Sequence, residues 1–477
     1  MYHPDDFLEN LLVTDLTVED RGVARHEGMV VFLDRGLPEA RVSARITAVK
    51  KRVIEAAVTE VIESSPHAIP LWCPHAGACG ACLWQHFSPD SALEWKRRHI
   101  RESFSRIGKI TDIDIAPVQP SPKIREYRNK MTYAFANGPD ASLLLGLRQR
   151  KEHSIVEVTE CGIQPAPAMA IVDYVRKAAK RFGLNALMRT SERHSKGYLR
   201  FLVIHTPEYR PAGEMQVLVE CITGINHGDV IDAARLPGGE KTSSLTNAEA
   251  LRLLGEELME QFRLIGFVHS ERRQTSDVAQ GERLVGQIGA ASYQERFGAL
   301  TLTVPHNAFL QTNTGAATLL YELIARESQL DGTQTIWDVY SGVGSIALYL
   351  APHAREVHGL EIQADAVIAA QSNSEAQGFA HCSFHQGALT LERSKKLPQP
   401  DLIILDPPRG GLESPAVEVL RHSSARRMLY VSCDVGTQAR DLAALARQWK
   451  PLKSFPVDMF PNTPHVENLV VLEPSGI

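Results

Sequence analysis

The sequence DLIILDPPRGGLESPAVEVLRHSSARRMLYVSCDVGTQARD, residues 401–441, contains two short apolar runs separated by a segment of helical length. Runs of this length, 402–405 and 428–431, predict buried parallel strands of a doubly wound α/β sheet. Asp406 follows the first run, and Cys433 follows the second. Because ligands bind beyond the carboxyl ends of such strands, we expect both side chains at a binding site. A cysteine with only a packing role is the alternative for Cys433.

Strand-like runs alternate with helical segments from about residue 291 onward, which predicts that the α/β sheet extends over this region. The turn after its first strand contains Gly342 and Gly344, which would let the backbone approach a ligand. Glu361 closes the next strand and would accept hydrogen bonds from ribose hydroxyls. The spacing Gly342-x-Gly344-x-x-Ala347 also satisfies a dinucleotide fingerprint, so an NAD-dependent oxidoreductase is one alternative. The acidic Asp338 before this turn instead favours the cationic end of S-adenosylmethionine.

Residues 8–64 alternate short β-branched runs with turn signals, which predicts a five-stranded OB-like barrel. Further along, 127–135 and 197–205 alternate like strands. Arg128 and Lys130 lie there, beside Tyr127 and Tyr198. Cations and aromatic rings of this kind are typical of RNA contacts, so we interpret them as groups that track a backbone and stack on bases.

Three cysteines form a C-x5-C-x2-C pattern, and a fourth lies far downstream; they are Cys73, Cys79, Cys82 and Cys161. Four thiolates can enclose either a zinc ion or an iron–sulfur cluster. His75 and His86 would be further ligands for zinc. A site closed by four thiolates is structural or electron-carrying, and we assign it no bond-making step.

The chain has 477 residues, 44% of them hydrophobic and 22% charged, which predicts two to four globular domains. It has no apolar run of about 18 residues and no secretory pattern at its start, so we expect a cytoplasmic protein without a membrane span. The net charge of −5 excludes general nucleic-acid coating and requires local basic patches for any such binding. Seven cysteines in this setting favour metal or catalytic roles over disulfides.

Together these features resemble the RNA 5-methyluridine methyltransferases over nearly the whole chain. The segments that carry the resemblance are the barrel, the four cysteines, residues 309–313, the glycine turn at 342, residues 406–409, 432–434 and 460–467. The resemblance implies a class I S-adenosylmethionine-dependent methyltransferase domain, an N-terminal TRAM barrel and a central α+β iron–sulfur domain. The corresponding divisions are 1–64, 65–290 and 291–477.

The resemblance also implies roles for single residues. Cys433 matches the nucleophile of the family and Glu467 its general base, while a 4Fe–4S cluster is expected on the four cysteines. Phe309 is expected to stack on the extruded substrate base. The cofactor contacts implied by the family and by the glycine turn are Gln311, Tyr340, Gly342, Gly344, Ser345, Glu361 and Asp406.

Two positions depart from the family pattern. Ala388 stands where many members carry an acid, which puts one adenine contact in doubt, and Ser345 stands where asparagine is also found. Bacterial relatives with both barrel and four cysteines mostly act on large-subunit ribosomal RNA, so 23S ribosomal RNA is the expected substrate of a monomeric enzyme. Transfer RNA is the alternative substrate.

Overall fold

The computed structural model describes residues 2–138, 142–150, 154–187, 197–231, 245–274 and 278–476. The first part is a closed barrel in which alternate residues point inward, and this confirms the predicted five-stranded unit. Its strands, paired in the order β1-β2-β3-β5-β4, are β1 (Phe7–Leu16), β2 (Gly22–His26), β3 (Met29–Leu33), β4 (Arg41–Lys50) and β5 (Val53–Glu63).

The cysteine-bearing turns follow, and then a basic helix, α1 (Pro89–Ser103), which runs into a π-helical turn at Phe104–Gly108. A two-residue strand, β6 (Asp114–Ile115), comes next. Ile100 and Phe104 are fully buried in a cluster shared with the sheet of the last third of the chain. One side of α1 therefore packs against elements that lie far away in the chain.

A seven-stranded sheet forms the middle of the molecule, in the order β13-β12-β11-β10-β7-β8-β9. Its elements are β7 (Lys130–Asn137), β8 (Leu143–Arg148), β9 (Ile155–Glu157), α2 (Ala166–Arg181), β10 (Leu199–His205), β11 (Leu218–Thr223), α3 (Asn247–Phe262), β12 (Gly266–Glu271) and β13 (Arg283–Gly289). The buried faces of α2 and α3 belong to the same apolar cluster as this sheet.

The structure corrects our interpretation of the aromatic residues near this sheet. Tyr127 and Tyr198 are 1% and 0% exposed, so neither ring can stack on an RNA base. Burial also lowers the pKa of Lys130, with Glu220 opposing that shift. Tyr127 and Tyr198 precede β7 and β10 and lie in the apolar cluster that this sheet shares with α2 and α3, a packing that alternation in the sequence does not reveal.

The last third begins with a hairpin and a helix, and then alternates strands with helices. The elements are β14 (Ser292–Phe297), β15 (Leu300–Pro305), α4 (Thr314–Ser328), β16 (Thr335–Val339), α5 (Ser345–Leu350), β17 (Glu356–Glu361), α6 (Ala364–Ala376), β18 (Cys382–Gln386), α7 (Leu391–Ser394), β19 (Leu402–Leu405), α8 (Ser414–Arg421), β20 (Arg427–Ser432), α9 (Val435–Leu445), β21 (Trp449–Val457) and β22 (Glu467–Pro474).

These strands form an eight-stranded sheet in the order β18-β17-β16-β19-β20-β22-β21-β6. Strands β16 to β20 are parallel, and the central strands β16, β19 and β20 are buried because helices cover both faces, as predicted for this region. β22 is antiparallel to β20 and β21 on either side of it. β6 pairs with β21 and so places residues 114–115 at one edge of this sheet.

The proposed division of the chain at residue 290 stays a prediction. In the described ranges, no helix is long and apolar enough to cross a membrane.

Candidate active site

The glycine turn lies between β16 and α5, and its backbone is tightly constrained. Tyr340, Gly342 and Gly344 all have positive φ, at 69°, 54° and 81°. A Cβ on Gly344 would lie 2.9 Å from the ring of Phe384, so only glycine fits there. The Gly342 amide donates to Oε2 of Glu361 at 3.0 Å, which joins the turn to the end of β17.

Asp338, the fourth residue of β16, is buried beneath this turn. Its Oδ2 accepts from the Ala347 amide at 3.0 Å, whereas its Oδ1 is buried without a hydrogen-bond partner in the part of the chain that the structure describes. Burial raises the pKa of Asp338 to about 8, and the charges of Asp406 and Glu361 add to that shift. A cationic N–H donor would satisfy this oxygen and relieve the repulsion among the three carboxyls.

Asp406 directly follows β19, which lies next to β16, and is half-buried. The side chain of Gln311, which is 6% exposed, forms a hydrogen bond with its carboxylate. Burial raises the pKa of Asp406 to about 7, and the bond from Gln311 opposes the shift. The predicted cofactor residues Gln311 and Asp406, which are 95 positions apart in the chain, therefore lie in contact.

Cys433 lies in the turn between β20 and α9 and is half-buried. Asp434 caps α9 by accepting from the Thr437 amide at 2.8 Å, which fixes the turn around the thiol. Burial raises the pKa of Cys433 to about 11, and the charges of Glu467 and Asp406 add to this. The Arg409 side chain forms a hydrogen bond with the thiol and opposes the shift.

Glu467 is the first residue of β22 and is 2% exposed. In the register of β20 and β22, Ser432 pairs with Asn468, so the next step brings Cys433 opposite Glu467. Burial raises the pKa of Glu467 well above its ordinary value; the charge of Asp406 adds to the shift and Arg409 opposes it. A thiol, a desolvated carboxyl and a guanidinium thus share one small region.

Phe309 lies in the segment before α4, and its ring is 67% exposed. Asn129 holds this segment from the middle of the molecule: its Nδ2 donates to the Gln311 carbonyl at 3.1 Å, and its backbone N–H donates to Thr312 O at 2.8 Å. Nδ2 also donates to Thr314 Oγ1, which in turn donates to the buried carboxylate of Glu295. An exposed aromatic ring on an anchored segment is available to a ligand.

The remaining predicted cofactor residues lie around the same turn. The Ser345 hydroxyl accepts from Tyr321 Oη at 2.9 Å. The Tyr340 hydroxyl bonds to the backbone of Glu413, and burial raises the pKa of this tyrosine to about 12. Ala388 follows β18, where its carbonyl accepts from Arg393 Nε.

The four predicted ligand cysteines, Cys73, Cys79, Cys82 and Cys161, line one small cavity. The backbone amides of Cys73 and Cys79 donate hydrogen bonds to Gln85 Oε1 and to the His75 carbonyl, respectively. The ring of His75 accepts from the Thr159 amide at 3.0 Å. Among the described residues, however, no group of three or more ligating side chains already has the geometry of a metal site.

Sequence reasoning gave no role to Arg409, although it belongs to the quoted Asp-Pro-Pro-Arg segment. The available signal was its position three residues after Asp406 in the same segment. Asn129 and Glu295 carry no recognisable sequence signal, because their partners lie far away in the chain.

A glycine turn and a thiol–carboxyl pair thus lie at strand ends of a doubly wound sheet, and comparisons with known proteins identify this fold. The family model described as tRNA (Uracil-5-)-methyltransferase matches residues 395–475, and the TRAM domain model matches residues 9–59. An uncharacterized RNA methyltransferase of Nitratidesulfovibrio vulgaris is 40% identical over 97% of this chain and 96% of that protein. One from Clostridium tetani is 30% identical over 97% and 96%.

A solved structure is similar over nearly the full length. The Pyrococcus abyssi tRNA (uracil-54, C5)-methyltransferase, in complex with S-adenosyl-L-homocysteine, superposes with a TM-score of 0.70 at 24% identity, covering 97% of this chain and 99% of that one. The chain belongs to the RNA uracil-C5 methyltransferase family. It is therefore an S-adenosylmethionine-dependent RNA methyltransferase with a TRAM domain, and the oxidoreductase alternative is wrong.

Proposed function

We propose that the enzyme methylates C5 of a uridine in RNA through a temporary bond between Cys433 and C6 of the ring. The observation that supports this most is the grouping of Cys433, Arg409 and Glu467 at adjacent strand ends. C5 of uracil is too weakly nucleophilic to take a methyl group directly. A thiolate that adds at C6 converts one difficult step into two easier ones.

The Cys433 thiol first loses its proton to water. The resulting thiolate donates its electron pair to C6, and the C5–C6 π electrons move towards the C4 carbonyl to give an enolate. Bound S-adenosylmethionine would supply the methyl carbon that C5 attacks; the carbon–sulfonium bond would break, its electron pair would return to sulfur, and S-adenosylhomocysteine would leave. Glu467 then takes the C5 proton, the C5–C6 double bond re-forms, and the sulfur leaves C6 as a thiolate.

Two groups prepare this chemistry. The pKa of Cys433, about 11, keeps the free thiol protonated at neutral pH, and the bond from Arg409 favours the thiolate that must attack. Desolvation makes the Glu467 carboxylate a stronger base once it has lost its own proton.

The glycine turn fits a cationic ligand. The unpartnered Oδ1 of Asp338, with Glu361 and Asp406 near it, suits the ammonium and sulfonium charges of S-adenosylmethionine. These carboxyls would repel a pyrophosphate. Glu361 retains lone pairs for ribose hydroxyls beside its two bonds to the Gly342 and Gln363 amides. Gln311, Tyr340, Gly344 and Ser345 complete the proposed contacts.

Phe309 is the proposed stacking partner of the uracil. A target base must leave its stack to reach a buried thiol, and an exposed ring on an anchored segment can replace the lost stacking.

We infer that 23S ribosomal RNA is the substrate of a monomeric, cytoplasmic enzyme. The combination of barrel and four cysteines supports the choice of RNA. The solved neighbour acts on transfer RNA, and this favours transfer RNA as the second candidate.

Mapping 5-methyluridine in total RNA from a strain that lacks this protein should reveal one missing site in 23S ribosomal RNA. Reintroducing the wild-type gene should restore the site, and the Cys433→Ala gene should not. Loss of a transfer-RNA site with intact ribosomal RNA would establish the second candidate. Unchanged 5-methyluridine in both RNAs would contradict the proposed reaction.

We further propose that Cys73, Cys79, Cys82 and Cys161 hold a 4Fe–4S cluster. Their convergence on one cavity and the soft chemistry of four thiols support this. A fully ligated cluster would cross-link residues 73–82 to the region of 161 in the proposed central domain, 65–290.

Protein purified without air should contain iron and acid-labile sulfide and should absorb broadly in the visible range. Cys161→Ser should lose most of the iron, because one of four bonds to the cluster is removed, whereas Cys382→Ser should keep it. RNA affinity should fall in Cys161→Ser while S-adenosylmethionine affinity changes little. One zinc per chain and no iron in anaerobic protein would refute the cluster.

A further inference from the structure

The segment 458–466, which we name the base loop, connects β21 to β22 and ends directly before Glu467. Its conformation, together with the pairing of Glu467 with Val457 of β21, therefore sets the position of the Glu467 carboxylate. The loop is irregular, and Asn462 within it has a φ of 64°. Two of its internal hydrogen bonds involve Thr463, whose hydroxyl donates to Phe460 O at 2.7 Å and accepts from the His465 amide at 3.2 Å.

Several other bonds to the base loop come from residues that precede position 130. Lys96 Nζ donates to Asp458 Oδ1 at 2.5 Å and to the Phe460 carbonyl at 3.2 Å. Tyr127 Oη donates to the carbonyl of Pro461 at 3.2 Å. The backbone N–H of Trp84 donates to Asn462 O at 2.8 Å.

These partners are rigidly placed. Lys96, Tyr127 and Trp84 are at most 1% exposed, so water cannot replace their bonds without a change of structure. Burial lowers the pKa of Lys96, and the charge of Asp458 opposes this shift. Lys96 Nζ bonds at two points of the base loop, the Asp458 carboxylate and the Phe460 carbonyl, so its buried position restrains both.

Two of these partners, Trp84 and Tyr127, lie close to the cysteines along the chain or through a backbone bond. Trp84 lies two positions after Cys82. The amide of Glu126, the neighbour of Tyr127, donates to the carbonyl of Gly162, the neighbour of Cys161, at 2.9 Å. The base loop is thus bonded directly to the chain segments that carry the cysteines.

We propose that Lys96 and Tyr127 are positioning residues for catalysis, which fix the base loop so that the Glu467 carboxylate reaches the C5 proton of the uracil. This inference rests on the proposed role of Glu467. It assigns to the first 130 residues a part in the elimination step, in addition to any part in binding RNA. Thiolate addition and methyl transfer do not require Glu467 as a base, so they should survive when the loop shifts.

The first test is Tyr127→Phe, which removes one hydroxyl and keeps the buried ring. Steady-state kcat should fall several-fold, with KM for RNA within about twofold of wild type, because a small misplacement of a catalytic group is costly. With ordinary uridine RNA, a methylated enzyme–RNA complex that survives denaturation should accumulate, since elimination alone is slowed. Tyr133→Phe is the matched control: its buried hydroxyl donates to Gln164 and does not contact the base loop, so both readouts should stay at wild-type level.

Lys96→Met should have the same signature with a larger fall in kcat, roughly 10- to 100-fold. Calorimetry with S-adenosylhomocysteine would measure the folded fraction, and Tyr127→Phe decides the question if Lys96→Met does not fold. Wild-type kcat in Tyr127→Phe, or a fall in kcat without extra covalent complex, would overturn the positioning role.

Glu467→Gln provides the reference for this test. If Glu467→Gln accumulates complex and Tyr127→Phe does not, the inference fails and the base assignment stands. If Glu467→Gln itself accumulates no complex while turnover is lost, the proposed base assignment is the part that fails.

Discussion

Cys433→Ala should abolish methyl transfer to RNA, with a loss of more than about a thousandfold, because no other group can supply the bond to C6. The glycine turn proposed to bind S-adenosylmethionine follows β16 and is bonded to the end of β17, so the affinity for this cofactor should change little. The measurement is transfer of a labelled methyl group to RNA under saturating cofactor. Cys382→Ala, which removes a thiol from β18 outside the site, should retain wild-type activity.

RNA that contains 5-fluorouridine at the target should form a denaturation-resistant complex with the wild-type enzyme, since fluorine cannot leave C5 as a proton does. Cys433→Ala should form none. Appreciable methylation by this variant, or an equal amount of adduct, would rule out the covalent mechanism.

Glu467→Gln should lower turnover by roughly 10²- to 10⁴-fold, the usual contribution of a positioned proton-transfer group. The amide keeps the size of the buried side chain but cannot take the C5 proton. Because addition and methylation precede that step, covalent complex should accumulate with ordinary uridine RNA. Glu473→Gln, on the same strand but paired with Arg427 at the surface, should behave as wild type.

The same residue predicts a pH dependence. Since the pKa of Glu467 is raised, the free enzyme carries a proton there at low pH, and kcat/KM should rise as pH increases through that pKa. The raised pKa of Cys433 acts in the same direction. Asp406→Asn removes a charge that raises both pKa values. At saturating cofactor, the rising limb of the plot of kcat/KM against pH should therefore shift to lower pH in this variant. A limb that moves to higher pH would contradict this electrostatic picture.

Much of this site is predictable from sequence because its parts end parallel strands. Asp406 and Cys433 each follow an apolar run, and the carboxyl ends of such runs meet at one edge of a sheet. The glycine turn is also predictable, because it directly follows a strand. The positive φ of Gly344 and its contact with Phe384 permit no other residue there.

Other features depend on long-range packing and carry no periodic signal. Glu467 was identified through a family motif, but its strand runs antiparallel between two others, which its own sequence does not indicate. The sequence pattern indicates a base-stacking role for Tyr127, but the structure places this residue in the interior. Arg409 was visible in the motif, yet its bond to the thiol depends on how two strand ends are juxtaposed.

The pairing of Lys96 with Asp458 also has a consequence for biosynthesis, since the two residues are 362 positions apart in the chain. At translation rates of about 5–20 residues per second, Lys96 leaves the ribosome roughly 20 to 70 s before its partner exists. Until α9 is made, Ile100 of α1 and Phe104 of the following π-helical turn lack the helix that packs against them. The nascent chain therefore passes through an aggregation-prone stage, and any message truncated before α9 yields a product in which this helix is never covered.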